Sequence, residues 1–126
     1  MKRTQPRRDW SDARAKVEEE GVCRVCGSNE NVQAAHVIGR ASDGPKPGYA
    51  SPALWVNPDS IIPLCGQFAA LQCHVRYDAH ALDVLEFLTP AEQIQAVKDA
   101  GGCIEAARRR TSPSSYRILA DQKAAL

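Results

Sequence analysis

The sequence lacks any apolar run long enough to cross a membrane, and no apolar stretch follows its basic N-terminus as one does in a secretory signal. We therefore expect a cytoplasmic protein with no membrane partner. Internal repeats, low-complexity tracts and a clear second domain are also missing, so 126 residues favour one domain. Aromatic residues make up only 6%, which limits the hydrophobic core that this chain can build.

A strong excess of charge is missing as well, since the net charge is +1. The basic residues nevertheless cluster near the two ends of the chain, as Lys2, Arg3, Arg7 and Arg8 and as Arg108, Arg109 and Arg110. Clusters of this kind can contact phosphates in an otherwise neutral protein. They are equally compatible with solvated ends that bind nothing, and composition does not decide between the two.

Cysteine is the reactive residue type that is well represented in the sequence. Four of the five cysteines form two pairs, Cys23 with Cys26 and Cys65 with Cys73. In a reducing compartment a C-x2-C pair favours a metal over disulfides, and zinc prefers four thiolates in a tetrahedron. We predict a structural zinc on these four thiols; the alternative is a set of buried cysteines without a metal. Cys103 stands outside the set and is predicted to be a buried apolar residue.

Periodicity and turn residues give a coarse map of the elements. We predict a helix over residues 10–20, a strand over 32–38, a long loop over 39–52, a brief strand over 54–56 and a short apolar run over 61–64 that leads into Cys65. A helix begins at His74, with Val75, Leu82 and Leu85 on one face. A second begins after Thr89, with Ile94 and Val97 on its apolar stripe and Gly101 and Gly102 at its end, and another covers 103–110.

Two histidines and a carboxylate lie inside this cysteine frame. His74 directly follows Cys73, and Asp78 is four residues further on, so both would share one helix face and could bind one divalent ion. His36 lies on the strand between the two cysteine pairs, and a histidine that faces a metal-bound phosphate can deprotonate water. If the zinc holds this strand against the helix, the three groups converge into a site for phosphodiester hydrolysis.

These residues resemble the HNH (His-Me finger) nuclease family, and in particular its small phage-type members. The matching motifs are Cys23-x-x-Cys26, Ala34-Ala35-His36-Val37-Ile38, Ile61-Ile62-Pro63-Leu64-Cys65 and Cys73-His74. The resemblance implies an α+β fold with a small zinc-stapled ββα-metal core and flanking helices. It divides the chain into a basic arm and N-terminal helix (1–21), an HNH nuclease core (22–88) and a C-terminal helical extension (89–126).

The same resemblance assigns roles to the site residues. It makes His36 the general base and His74 a ligand of the catalytic ion, which we expect to be Mg²⁺ or Mn²⁺. Asp78 matches the position where some members, such as the colicin DNases, place a further metal-ligating histidine. Arg40 and Arg76 flank this site and are predicted to contact DNA phosphates; for both, the alternative is an ordinary surface arginine.

Two positions depart from the family pattern. The family often has Asp or His as a metal ligand just before the general base, where this chain has Ala35. At the position of the family's middle Asn, five residues before the knuckle cysteine, this chain has Ser60, with Asn57 three residues earlier in the same turn. Either Ser60 or Asn57 would brace the loop that bears His36, and Ser60 is the better positional match.

The sequence thus predicts a metal-dependent endonuclease that hydrolyses phosphodiester bonds in double-stranded DNA, with phage packaging or recombination proteins as candidate partners. If the protein is phage-encoded, it would act in the host cytoplasm. The alternative is a zinc-dependent nucleic-acid-binding module without catalysis, which Ala35 and Ser60 favour. A purely structural zinc domain is a third hypothesis, but it leaves the spacing of His36, His74 and Asp78 unexplained.

Overall fold

The computed structural model describes residues 11–39 and 57–115. The chain folds into a small α+β structure with one two-stranded sheet and four helices in this part. In chain order the elements are α1 (Ser11–Glu20), β1 (Val32–His36), β2 (Ile61–Cys65), α2 (Cys73–Asp78), α3 (Pro90–Asp99) and α4 (Ile104–Thr111). Short 3-10 turns at Pro58–Ser60 and Leu85–Phe87 connect them. None of the helices in these two described stretches has the length and apolarity needed to cross a membrane.

The two strands pair antiparallel, with Val32 opposite Cys65 and His36 opposite Ile61. All of β2 is buried, although it carries Pro63 at its centre. The carbonyl of Pro63 faces away from β1 and accepts a hydrogen bond of 2.8 Å from the backbone N–H of Arg24. Because the N and C=O of one strand residue point to the same edge, the missing N–H of this proline removes no bond between β1 and β2.

The helix predicted to begin at His74 is much shorter than its apolar pattern suggested, since α2 ends at Asp78. His80 adopts a left-handed backbone with φ +60°. The N–H of Ala81 then bonds the carbonyl of Arg76 at 2.8 Å, and the N–H of His80 bonds that of Tyr77 at 3.0 Å. These two bonds form a Schellman cap, which stops the helix without glycine.

The early end of α2 and the packing of α3 show that two predicted apolar faces are partly wrong. Val75 is 44% exposed and Ile94 is 59% exposed, so neither belongs to the core. Leu82 and Leu85 do pack against the core, but they reach it from the segment after α2. On α3 the small residue Ala96 is buried together with the C-cap Ala100, which lets the helix approach its neighbours closely.

The ends of α3 and α4 follow the predicted signals. Thr89 and Glu92 form a complete capping box at the start of α3, and Gly101 and Gly102 follow its end with positive φ. The prediction for Cys103 is wrong, because this residue is exposed. It is the N-cap of α4, where its Sγ accepts a hydrogen bond from the N–H of Ala106 at 3.4 Å, and a capping position lies at the surface by nature.

Besides capping α3, Glu92 connects three parts of the fold. Its carboxylate is 1% exposed and pairs with Lys16 of α1 at 2.5 Å and with Arg24 at 2.7 Å. Lys16 also donates to the carbonyls of Pro58 and Ile61, and Arg24 donates to the carbonyl of Phe87. Although burial works against its charge, hydrogen bonds from Arg24 and Lys16 lower the pKa of Glu92 to about 2.

Glu92→Gln should lower the free energy of unfolding by roughly 3 kcal/mol, because two cations lose the carboxylate that compensates them. Denaturant unfolding at neutral pH measures this loss. Glu18→Gln is the matched control, since Glu18 is exposed on α1. It should change the stability by less than about 0.5 kcal/mol.

The pH dependence gives a second test of Glu92. Its pKa in the folded chain is about 2, below the ordinary value of 4.5, so its contribution is present above the ordinary pKa and is lost as the pH falls through about 2. Between about pH 5 and pH 2 the wild type should lose more stability than Glu92→Gln. Equal losses in the two proteins would contradict the role assigned to this carboxylate.

Candidate functional site

The first pair of thiols lies on a tight turn between α1 and β1. The N–H of Gly27 bonds the carbonyl of Cys23 at 3.0 Å, and the N–H of Cys23 bonds the carbonyl of Ser28 at 2.8 Å. Gly27 has φ +77°, a conformation that a side chain would strain. Inside the turn, the bond from Arg24 to Pro63 fastens the knuckle to β2. The local sequence therefore sets Cys23 and Cys26 beside the strand that ends in Cys65.

The second pair is separated by the spacer over residues 66–72, which folds back on itself. Gly66 donates its N–H to the carbonyl of Asn31 at 2.7 Å, and Gln72 has φ +48° immediately before α2. The N–H of Cys73 then reaches the Sγ of Cys65 at 3.3 Å. The long gap thus loops out, as the sequence allows, and leaves Cys65 and Cys73 adjacent.

The four sulfur atoms of Cys23, Cys26, Cys65 and Cys73 all lie within 4.8 Å of one another. Within residues 11–39 and 57–115 they form the only group of three or more ligating side chains that is so compact. A tetrahedral zinc with bonds of about 2.3 Å requires S···S edges of about 3.8 Å. Cys26 and Cys65 are separated by 3.6 Å, which fits this edge. The cluster could hold a metal ion such as zinc, as predicted.

The ionisation of these thiols also reflects their crowding. Burial opposes ionisation of Cys23, but hydrogen bonds from the backbone amides of Cys26 and Cys65 outweigh it and lower the pKa of Cys23 to about 7. Burial, together with the neighbouring thiols, raises the pKa of Cys73 to about 12 against the opposing hydrogen bond from Arg76. Four thiols at these distances cannot all ionise without a compensating cation, which is what a bound metal supplies.

His74 and Asp78 meet on the exposed side of α2. Their i,i+4 spacing brings His74 Nε2 to 3.6 Å from Asp78 Oδ2. The other ring nitrogen, Nδ1, contacts Oε1 of Gln33 at 2.7 Å. Asp78 Oδ1 lies 3.5 Å from the guanidinium of Arg110. The predicted pair of nitrogen and oxygen ligands is therefore brought together directly after the last thiol of the cluster.

Both interpretations of the Arg108, Arg109 and Arg110 cluster, phosphate contact and a solvated end, place Arg110 at the surface, and for Arg110 that expectation is wrong. Its side chain is 3% exposed and lies over the ring of Tyr77 at 3.9 Å. It donates to the carbonyl of Tyr77 at 2.6 Å. Only Arg108 and Arg109 of that run are exposed. Arg110 thus braces the end of α2 next to Asp78.

His36 is the last residue of β1 and is half-buried, with its Nε2 enclosed by protein. The following residue, Val37, is held at both backbone groups. Its N–H bonds the carbonyl of Ser60 at 2.9 Å, and its carbonyl accepts a hydrogen bond from the hydroxyl of Tyr77. The backbone from which the His36 side chain projects is therefore firmly fixed.

Ser60 and Asn57 occupy the turn before β2, and each has a local structural task. The Ser60 hydroxyl, which is fully buried, donates to Asp99 Oδ2 at 2.6 Å. Asn57 caps the 3-10 turn by accepting from the N–H of Asp59 at 2.9 Å. Among the described residues, the backbone carbonyl of Ser60 holds the segment that bears His36, and bracing by the side chain of Ser60 or Asn57 stays a prediction.

Alternation along β1 places the side chain of His36 on the face opposite Gln33, which is the residue that contacts His74. The convergence of His36 with His74 and Asp78 around one phosphate therefore stays a prediction. Gln33 was not among the predicted site residues. The available signal was its position two residues before Ala35, on the same face of the strand, with an amide that can hydrogen-bond.

The two arginines predicted to flank the site have different outcomes. Arg76 donates from Nε to the carbonyl of Leu71 at 3.0 Å and from Nη2 to the Sγ of Cys73 at 3.5 Å. It thus supports the spacer and the thiol cluster, and its contact with DNA stays a prediction. Arg40 lies outside the described residues, as does the strand predicted at 54–56.

Comparison with known proteins does not assign this arrangement to a family. No family model, curated protein or solved structure matches the chain. The features that bear on function are therefore the thiol cluster, the His74–Asp78 pair and His36.

Cys65→Ser should purify with little bound zinc and lose its cooperative thermal unfolding, because ligation of zinc contributes on the order of 10 kcal/mol to folding of such domains. Metal analysis and circular dichroism measure the two effects. Cys103→Ser is the matched control, since Cys103 lies outside the cluster and serine also caps helices. Equal zinc contents in the two variants would contradict the assignment of the ligands.

Proposed function

We propose that this chain is a zinc-stapled, metal-dependent endonuclease of the HNH type that hydrolyses phosphodiester bonds in double-stranded DNA. The observation that carries the proposal is the position of the His74–Asp78 pair, which begins one residue after the thiol of Cys73. A zinc on the four thiols would fix this pair relative to the two strands. The order of two antiparallel strands followed by a helix also supports it.

The residues present fit a catalytic divalent ion in part. His74 Nε2 and Asp78 Oδ2 are 3.6 Å apart, so one ion could contact both; the carboxylate oxygen suits Mn²⁺ or Mg²⁺, whereas the imidazole nitrogen suits Mg²⁺ poorly. Ala35, at the position of the family's additional ligand, is 1% exposed and offers no donor atom. Such an ion, when bound, would stabilise the charge that develops on the phosphate and its leaving oxygen.

His36 is assigned the role of general base. It accepts a proton from water while the water oxygen forms a new bond to phosphorus and the opposite P–O bond breaks; the leaving oxygen then takes a proton from solvent. In such an in-line displacement the attacking and leaving oxygens lie on opposite sides of phosphorus. His36 leaves β1 on the face opposite Gln33, so the phosphate would have to lie past the end of the strand to reach both the base and the ion.

The fixed backbone around His36 supports this role. A general base must be held within hydrogen-bonding reach of its water, and the bonds from Val37 to Ser60 and from Tyr77 to Val37 restrict its position. Arg108 and Arg109 are exposed, and surface arginines can contact the DNA backbone in a way that does not depend on sequence. Such contacts would supplement the contact predicted for Arg76.

A second candidate function is a zinc-dependent nucleic-acid-binding module without catalysis. Two observations favour it. Ala35 contributes no ligand, and the hydroxyl of Ser60 donates its hydrogen bond to Asp99. The two functions differ in their dependence on His36, because a binding module tolerates the loss of this side chain.

The wild type should nick supercoiled plasmid in Mg²⁺ or Mn²⁺, and His36→Ala should reduce the rate by at least about 100-fold, the usual contribution of a general base. Gel quantification of relaxed and linear DNA measures the rate. His80→Asn is the matched control, because His80 is exposed with φ +60°, which Asn tolerates, and the Asn Oδ1 can replace His80 Nδ1 in its 3.2 Å contact with Arg110. It should cleave at the wild-type rate.

Equal cleavage by the wild type and His36→Ala would contradict the assigned base. If neither protein cleaves while both shift DNA on a gel, the binding module is the correct function.

A further inference from the structure

The Gln33 amide makes a directional contact with the proposed metal pair. Its Oε1 lies 2.7 Å from Nδ1 of His74. A carbonyl oxygen of an amide can only accept a hydrogen bond, so Nδ1 must carry the proton. In a neutral ring this leaves the lone pair on Nε2, the nitrogen that lies 3.6 Å from Asp78 Oδ2.

The tautomer set by Gln33 makes two acceptors face each other. A neutral His74 with its proton on Nδ1 and an ionised Asp78 both present lone pairs at a separation of 3.6 Å. The guanidinium of Arg110, 3.5 Å from Asp78 Oδ1, offsets part of the carboxylate charge, and a divalent cation between the two facing atoms would bind both of them. The other solution is a second proton on the ring, which would make the pair an ordinary ion pair.

Gly66 provides the space that the Gln33 amide occupies. A Cβ at Gly66 would lie 2.5 Å from Cδ and Nε2 of Gln33, closer than such atoms approach one another. Gly66 directly follows Cys65 of the thiol cluster, and Gln33 pairs with Leu64 across the sheet. The amide is thus confined between β1 and the start of the spacer, which fixes its direction toward His74.

We propose that Gln33 is a positioning residue, which holds His74 in the Nδ1–H tautomer so that Nε2 and Asp78 bind a divalent cation. The inference rests on the proposed function, because it concerns the same metal pair. Partners that hold a metal-ligating histidine through its second nitrogen typically change metal affinity 10–100-fold when they are removed. Gln33 acts through His74 and does not contact the substrate.

The tautomer can be read directly from two-bond ¹⁵N–¹H correlations of the histidine rings in the full-length, zinc-loaded chain at about pH 8, above the ordinary pKa of histidine. The signal of His74 is assigned by its loss in His74→Ala. The wild type should show Nδ1–H, and Gln33→Leu should show a substantial Nε2–H population. An Nε2–H or doubly protonated ring in the wild type would overturn the proposal, as would an unchanged tautomer in Gln33→Leu.

Titration with Mn²⁺ gives a second readout. Gln33→Leu should weaken Mn²⁺ binding at least about tenfold, whereas Gln33→Glu, which keeps an acceptor oxygen, should bind at least as tightly as the wild type. Gly66→Ala, whose Cβ would lie 2.5 Å from the Gln33 amide and 2.6 Å from Asn31 Nδ2, should also weaken binding, because it displaces Gln33 without changing that residue. Equal Mn²⁺ affinity in the wild type and Gln33→Leu, with zinc content preserved in both, would contradict the proposal.

These readouts separate the inference from the proposed function, because neither requires DNA cleavage. A wild type that fails to nick plasmid but shows the Nδ1–H tautomer and Gln33-dependent Mn²⁺ binding would support the role of Gln33. The same result would contradict the proposed endonuclease function.

Discussion

The approach of four thiols within 4.8 Å is the constraint on which the rest of the structure depends. It joins the knuckle before β1, the end of β2 and the start of α2, which are separated in sequence by up to 50 positions between Cys23 and Cys73. Cys65 ends the strand that pairs with β1, and Cys73 begins the helix that carries His74. A metal on this cluster would fix the sheet and the candidate catalytic helix with one set of bonds.

A second constraint, the Glu92 carboxylate, supports the knuckle from its other side. Arg24 lies between Cys23 and Cys26 and reaches Glu92 at the start of α3, while Lys16 brings α1 to the same carboxylate. The chain has few aromatic side chains, and many of its buried residues are alanines and cysteines. Apolar burial in a small core of this kind contributes little to the free energy of folding. Metal ligation and paired charges must therefore contribute more of it than in a larger domain.

The parts of the structure that depend on side-chain chemistry could be predicted from the sequence, and those that depend on local backbone geometry could not. The paired thiols and the Thr89–Glu92 capping box can be recognised from residue types and spacing. The end of α2 depends on a left-handed His80, which apolar periodicity does not encode. The sequence marked Gln33 only by its place on the Ala35 face of β1, and its contact with His74 became visible only with the register of β1 and β2 and the space at Gly66.

In the proposed site, one metal held by the thiols positions a second metal on His74 and Asp78. Anomalous diffraction from crystals of the zinc-loaded chain grown with Mn²⁺, with data at the absorption edges of both metals, would locate the two ions. We expect a zinc peak among the four sulfur atoms and a separate manganese peak that contacts His74 Nε2 and Asp78. A zinc peak alone, or manganese bound away from this pair, would contradict it.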